Sequence, residues 1–90
     1  MEILYPIGDS VSTDPRLLAI DWRAVGRRVR ELRGFDCKQS ELAEAIGVAQ
    51  SHISTIERGL KEPSTTILLR IATYYGKSLD WLVTGIEPRS

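Results

Sequence analysis

Apolar residues recur at helical spacing along most of the chain, and a glycine follows each of several such segments. Trp22, Val25, Val29 and Leu32 are spaced three, four and three residues apart, which places them on one face of a helix. Glycines at positions typical of helix C-termini are Gly34, Gly47, Gly59 and Gly76. The pattern predicts an all-α fold with five helices over residues 22–33, 39–46, 50–58, 65–75 and 79–83, the last two capped by Ser64 and Ser78.

The first 21 residues have a different pattern from the rest of the chain. A short apolar stretch is followed by a polar, turn-rich run and then by Pro15, which suits the first position of a helix. One continuous helix over 15–33 is possible, but we predict a break near Asp21, which can cap a new helix. The predicted organisation is an N-terminal arm over 1–21, a helical domain over 22–85 and a tail over 86–90.

The composition predicts one small globular domain. The chain has 90 residues, 42% of them hydrophobic, and no apolar run approaches the roughly 20 residues that a membrane span needs. The N-terminus does not have the pattern of a secretory signal, so a soluble cytoplasmic protein is expected. Cys37 is the only cysteine, which excludes an internal disulfide and a cysteine-based zinc cluster. We interpret it as an inert loop thiol, because nothing in the spacing places His52 beside it as a base.

The charge is unevenly distributed, although the chain as a whole is neutral. Residues 1–21 carry four acidic side chains and one arginine, a net charge of −3, which leaves the remainder at +3. The segment 23–33 alone holds five arginines against Glu31. A basic face on a neutral chain suits selective binding to DNA better than nonspecific coating of it.

The helices over 39–46 and 50–58 are joined by Gly47, Val48 and Ala49 alone, the tight connection that a helix-turn-helix requires. On a wheel of the second helix, Ile53 and Ile56 mark the buried side. Short polar side chains let a helix enter the major groove, and a glutamine can make two hydrogen bonds to adenine. The residues on the opposite side are of this kind, namely Gln50 at the edge with Ser51, Ser54, Thr55 and Arg58.

Longer motifs extend this pattern: GRRVRELR at 26–33, QSELA at 39–43, GVAQSHISTIERG at 47–59 and LDWLVTG at 79–85. Through them, residues 25–85 resemble the helix-turn-helix family of lambda-type repressors and Cro proteins. The resemblance implies that Gln39 contacts a phosphate and braces Gln50. It implies that Gln50, Ser51 and Thr55 read base edges, with Ser54 a further candidate, and that Arg58 and Lys61 contact the DNA backbone, which fixes register.

Two charged residues lie on or near the faces that the helical wheels predict to be buried. Arg33 falls inside the apolar arc of the first helix. Glu57 lies near the buried side of the helix over 50–58, which is the recognition helix of the motif. Such charges should neutralise each other, and the related repressors pair an arginine with a glutamate at these positions, so we assign the two a structural role. His52, with no clustered ligand beside it, is interpreted as a residue at the groove edge or on a phosphate, not as a metal ligand.

Three departures from the family pattern concern helix caps and loop length. Lys38 and Ala49 stand where the family has a capping serine or threonine, and the loop over 33–39 is one residue shorter. A missing cap costs about 1 kcal/mol, so we expect a small loss of stability and the same fold.

The expected partners are duplex operator DNA and a second copy of the chain, with no cofactor or metal. The last helix is apolar around most of its circumference, so Trp81 and Leu82 are predicted to contact the second subunit. Leu4 and Tyr5 of the arm are predicted to matter less. The chain is either a complete short regulator or the DNA-binding part of a longer repressor. The acidic arm favours an alternative, a module that binds a protein as antitoxins do. No catalytic set can be named, so an enzyme is not predicted.

Overall fold

A computed structural model describes residues 20–87, so the helix start expected at Pro15, most of the arm and most of the tail lie outside the described residues. The described part is helical and contains no strand, which confirms the all-α prediction. Each observed helix agrees with its predicted span to within one residue at either end. The helices are α1 (Trp22–Arg33), α2 (Gln39–Ile46), α3 (Gln50–Glu57), α4 (Thr65–Tyr74) and α5 (Leu79–Thr84).

Asp21 breaks the chain before α1, as predicted. Its backbone is extended, and its Oδ1 accepts hydrogen bonds from the backbone N–H groups of Arg23 at 3.1 Å and Ala24 at 3.2 Å. These bonds satisfy two of the donors that a helix N-terminus leaves unpaired. A single helix running through Ile20 and Asp21 is therefore excluded, because both residues are non-helical.

Within the described residues, no helix has the length and apolarity to cross a membrane.

All five helices contribute to one apolar core. α1 and α4 flank the α2–α3 pair, and α5 packs against both α1 and α4. The residues that form this core are Val25, Val29, Leu42, Ala43, Ile46, Ile53, Ile56, Leu68, Ile71, Ala72 and Leu82. Their burial supplies the main stabilising term of the domain.

The position of Leu82 corrects one expectation. Its side chain is 0% exposed and belongs to the core, so it is not available to a second subunit. The reason is that α5 must direct at least one apolar residue inward to pack on the domain, and Leu82 is that residue. Trp81 is only half-buried, and Lys77 Nζ lies 5.0 Å from the centre of its ring.

Two arginines close the C-terminal ends of helices. Arg28 Nη1 donates to the carbonyl oxygens of Leu82 at 3.0 Å and Val83 at 3.3 Å. Arg70 Nη1 donates to the carbonyl oxygen of Ile46 at 3.1 Å. Both satisfy carbonyl groups that lack partners inside their own helix, and both place positive charge at the negative end of a helix dipole.

Candidate nucleic-acid interface

The turn between α2 and α3 orients the second helix. Gly47 has φ 79° and ψ 37°, the left-handed conformation that ends a helix, and its N–H donates to Ala43 O at 2.9 Å. The N–H of Val48 donates to the same oxygen at 2.9 Å, and its half-buried side chain packs against the core. Ala49 is extended and starts α3. The connection predicted from the glycine and the apolar Val48 is therefore present.

The backbone of α1 supports α3 from behind at close range. A Cβ atom added to Gly26 would lie 2.4 Å from Glu57 O and 2.5 Å from Ile56 O. Gly59, with φ +70°, turns the chain after α3, and a Cβ there would lie 2.7 Å from Arg23 Cα. Only residues without a side chain fit at these contacts, so α3 is held tightly against α1.

The residues predicted to face DNA are on the accessible side of α3 and just after it. Gln50, Ser51 and His52 are exposed, whereas Ser54 and Thr55 are half-buried. Arg58 and Lys61 are exposed beyond the end of the helix, which is at Glu57 rather than at Arg58 as expected.

Internal hydrogen bonds restrict what two of these side chains can do. Thr55 Oγ1 donates to Ser51 O at 2.9 Å, so the hydroxyl can only accept from a further partner and otherwise presents its methyl group. Arg58 Nε lies 3.4 Å from Ser54 O, which draws the guanidinium group back along the end of α3.

Arg33 and Glu57 form a two-pronged ion pair between α1 and α3. Arg33 Nε donates to Glu57 Oε2 at 2.6 Å, and Nη2 donates to Oε1 at 2.9 Å. The side chains of Arg33 and Glu57 are 13% and 4% exposed. The hydrogen bond to Glu57 raises the pKa of Arg33, against the opposing effect of burial. Arg33 Nη1 also donates to Cys37 O at 2.8 Å, which fixes the loop before α2.

Gln39 connects this ion pair to the start of the recognition helix. Its Nε2 donates to Glu57 Oε1 at 3.0 Å, and its Oε1 accepts from Gln50 Nε2 at 3.5 Å. The contact between Gln39 and Glu57 was not predicted. The sequence does give one indication of it. Gln39 stands in the first turn of its helix and can donate hydrogen bonds, and the carboxylate of Glu57 has oxygens that need several donors.

Cys37 lies beside Tyr75, a neighbour that the spacing of the sequence does not indicate. Tyr75 Oη donates to Cys37 Sγ at 3.3 Å, and burial, followed by this hydrogen bond, raises the pKa of Tyr75. The phenol thus stays a donor, and the thiol packs against the edge of the core.

The two residues that stand where the family has a capping serine or threonine do not cap their helices through their side chains. Lys38 and Ala49 make no side-chain cap bond. In α2, the carboxylate of Glu41 accepts from the backbone N–H of Lys38 at 3.0 Å, which supplies one half of a capping box.

A comparison with known proteins places this arrangement in a family. The sequence model described as helix-turn-helix matches residues 27–82. This chain belongs to the helix-turn-helix family. It is 32% identical over 63 residues to the HTH-type transcriptional regulator ImmR of Bacillus subtilis, a match that covers 67% of this chain and 48% of ImmR. The chain thus spans about half the length of that relative.

Solved structures of this family include complexes with DNA. The P22 c2 repressor bound to a synthetic operator superimposes with a TM-score of 0.65 at 32% identity, covering 69% of this chain and 96% of that one. SinR in complex with DNA gives a TM-score of 0.59 at 37% identity, covering 64% and 95%. The helix-turn-helix relatives are DNA-binding transcriptional regulators rather than enzymes.

Proposed function

We propose that this helix-turn-helix protein binds operator DNA in a sequence-specific way, with α3 in the major groove, and that it regulates transcription by occupying promoter DNA. The observation that carries the proposal is the hydrogen bond from Gln50, exposed at the start of α3, to Gln39 at the start of α2. A glutamine held at that point can read adenine, and the short polar residues that follow let the helix approach the bases. The P22 c2 repressor, which has the same fold at 32% identity, binds an operator.

Gln50→Ala tests the base-reading role. We expect it to cost about 1 to 3 kcal/mol on the preferred duplex and to relax the preference at one base position in each half-site. The measurement is affinity for a duplex selected from a random pool and for its single-base variants. Equal losses on selected and random DNA would contradict the role of Gln50. Unchanged affinity and preference would favour the alternative of a protein-binding module.

Arg58→Ala tests the assignment of Arg58 to the DNA backbone. We expect weaker binding to every duplex and a salt dependence that is flatter by about one unit of slope, because one fewer counterion is released. Gln50→Ala is the control, since it removes a side chain of α3 without changing the charge and should keep the wild-type salt slope. An unchanged slope in the Arg58 variant would reject the phosphate contact.

We further infer that two copies bind a palindromic site. One recognition helix reads few bases, and two helices placed roughly 34 Å apart on symmetric half-sites would supply the missing specificity. Of the two residues predicted to contact a second copy, Leu82 lies in the core and Trp81 is half-buried, so Trp81 remains the candidate contact.

Trp81→Glu is expected to weaken the dimer, because it places a charge in an apolar contact. Sedimentation equilibrium would show a monomer at concentrations where the wild type is dimeric. Leu69→Glu, at an exposed apolar position on α4, is the matched control and should remain dimeric. If deletion of residues 1–12 gives a monomer while Trp81→Glu still dimerises, the arm is the dimer element.

A further inference from the structure

The carboxylate of Glu57 is an obligate acceptor at the centre of the interface. It is 4% exposed and receives two N–H donors from Arg33. Because each of its two oxygens faces an N–H group of Arg33, the carboxylate offers only acceptor sites to further partners. Gln39 must therefore turn its amide nitrogen toward Glu57, as the 3.0 Å contact from Nε2 to Oε1 shows.

This constraint passes through Gln39 to Gln50. An amide group unconstrained by its neighbours can exchange the positions of its oxygen and nitrogen, because the two ends have nearly the same shape. Because Glu57 holds the amide nitrogen of Gln39, Gln39 presents its Oε1 to Gln50. Gln50 must then donate from its Nε2, which lies 3.5 Å from that oxygen. The carbonyl oxygen of Gln50 and its second N–H then remain for DNA, in a defined order.

That order matters because adenine presents an acceptor, N7, beside a donor, the N6 amino group. In one orientation, the amide of Gln50 places its N–H against N7 and its oxygen against the N6 amino group. In the reversed orientation, a donor faces a donor and an acceptor faces an acceptor. We propose that Glu57 is a positioning residue for base recognition, which sets through Gln39 the donor and acceptor order of Gln50 and so its preference for adenine. This inference rests on the proposed base-reading role of Gln50.

A purely structural role for the ion pair predicts a different result. It predicts that changes at Glu57 lower stability and reduce binding to all duplexes by the same factor, because only the folded fraction falls. The ratio of affinities between two duplexes cancels the folded fraction. The base preference at the position read by Gln50 therefore separates positioning from stability.

The experiment uses the full chain and two variants, Glu57→Gln and Gln39→Met. A glutamine at 57 can donate as well as accept, so it no longer imposes an orientation on Gln39, whereas a methionine at 39 removes the connection and leaves the ion pair intact. Affinities are measured for the selected duplex and its three single-base variants at the position identified by Gln50→Ala. We expect each variant to lower the preference for adenine about tenfold, within the range for one two-pronged base contact.

The double variant distinguishes a relay from two separate effects. Once Gln39 is methionine, Glu57→Gln should cause no further loss of preference. Glu44→Gln, an equal charge change at an exposed position of α2, should keep the wild-type preference. Full preference in either Glu57→Gln or Gln39→Met, or additive losses in the double variant, would overturn the inference. If Glu57→Gln does not fold, the joint replacement of Arg33 and Glu57 by methionine, which strands no charge, takes its place and should lower the preference in the same way. If Gln50→Ala itself leaves the preference unchanged, the proposed function fails instead.

Discussion

Glu57→Ala is expected to lower the free energy of unfolding by about 3 to 5 kcal/mol, the usual cost of removing one partner from a buried ion pair. The truncation leaves the guanidinium group of Arg33, only 13% exposed, without its counter-charge. It also removes the acceptor of Gln39 Nε2. Because a small domain has a total stability of roughly 5 to 15 kcal/mol, the loss is large enough to populate the unfolded state. Denaturant titration followed by circular dichroism measures it.

Two further variants show whether the loss comes from the pair. Glu44→Ala removes an exposed carboxylate from α2 and should change stability by no more than about 0.5 kcal/mol. Replacing Arg33 and Glu57 together by methionine should recover part of the loss, since no charge is then stranded. Recovery stays incomplete because Cys37 O and Gln39 Nε2 lose their partners. A coupling free energy near zero in this double-mutant cycle would be incompatible with the 2.6 Å contact.

The helices could be predicted closely because their ends depend on local chemistry. Asp21, Ser64 and Ser78 accept hydrogen bonds from backbone groups within three residues of themselves. Gly47 ends α2 by its own left-handed conformation. The prediction missed by one residue at the ends of α3, α4 and α5, although a glycine with positive φ follows each of them, because the last turn of a helix is the least sharply bounded.

The inward side chains could not be predicted in the same way, because their partners are distant in sequence. Arg28 counted toward a basic face, yet its guanidinium group binds the end of α5, 54 residues away. Together with Arg33, it leaves Arg23, Arg27 and Arg30 as the exposed arginines of α1. Leu82 was assigned to a dimer surface for the same reason, since a wheel shows which face is apolar but not which neighbour covers it.

The candidate interface likewise has residues that could be predicted from a single helix and contacts that depend on how the helices pack. The outward residues of α3 follow from its periodicity, and the ion pair follows from two charges on apolar arcs together with the family resemblance. The contact from Gln39 to Glu57 depends on where α2 and α3 meet above α1, which no single helix encodes. The close approach of α1 to α3 at Gly26 was missed as well, because a glycine inside a predicted helix usually indicates only lower helix propensity.

Gly26→Ala should destabilise the domain, although alanine is the better helix former by about 1 kcal/mol. The new Cβ would lie 2.4 Å from Glu57 O and 2.7 Å from Glu57 C, and both atoms belong to backbone that cannot rotate away. We expect a net loss of about 3 kcal/mol in the free energy of unfolding, as for an overpacked core. Because the displaced carbonyls end α3, affinity for the selected duplex should also fall beyond the loss of folded protein. Denaturant titration and DNA titration measure the two effects, with Arg30→Ala on the exposed side of α1 as control for stability. A Gly26→Ala protein as stable as the wild type would show that α1 and α3 are not in backbone contact.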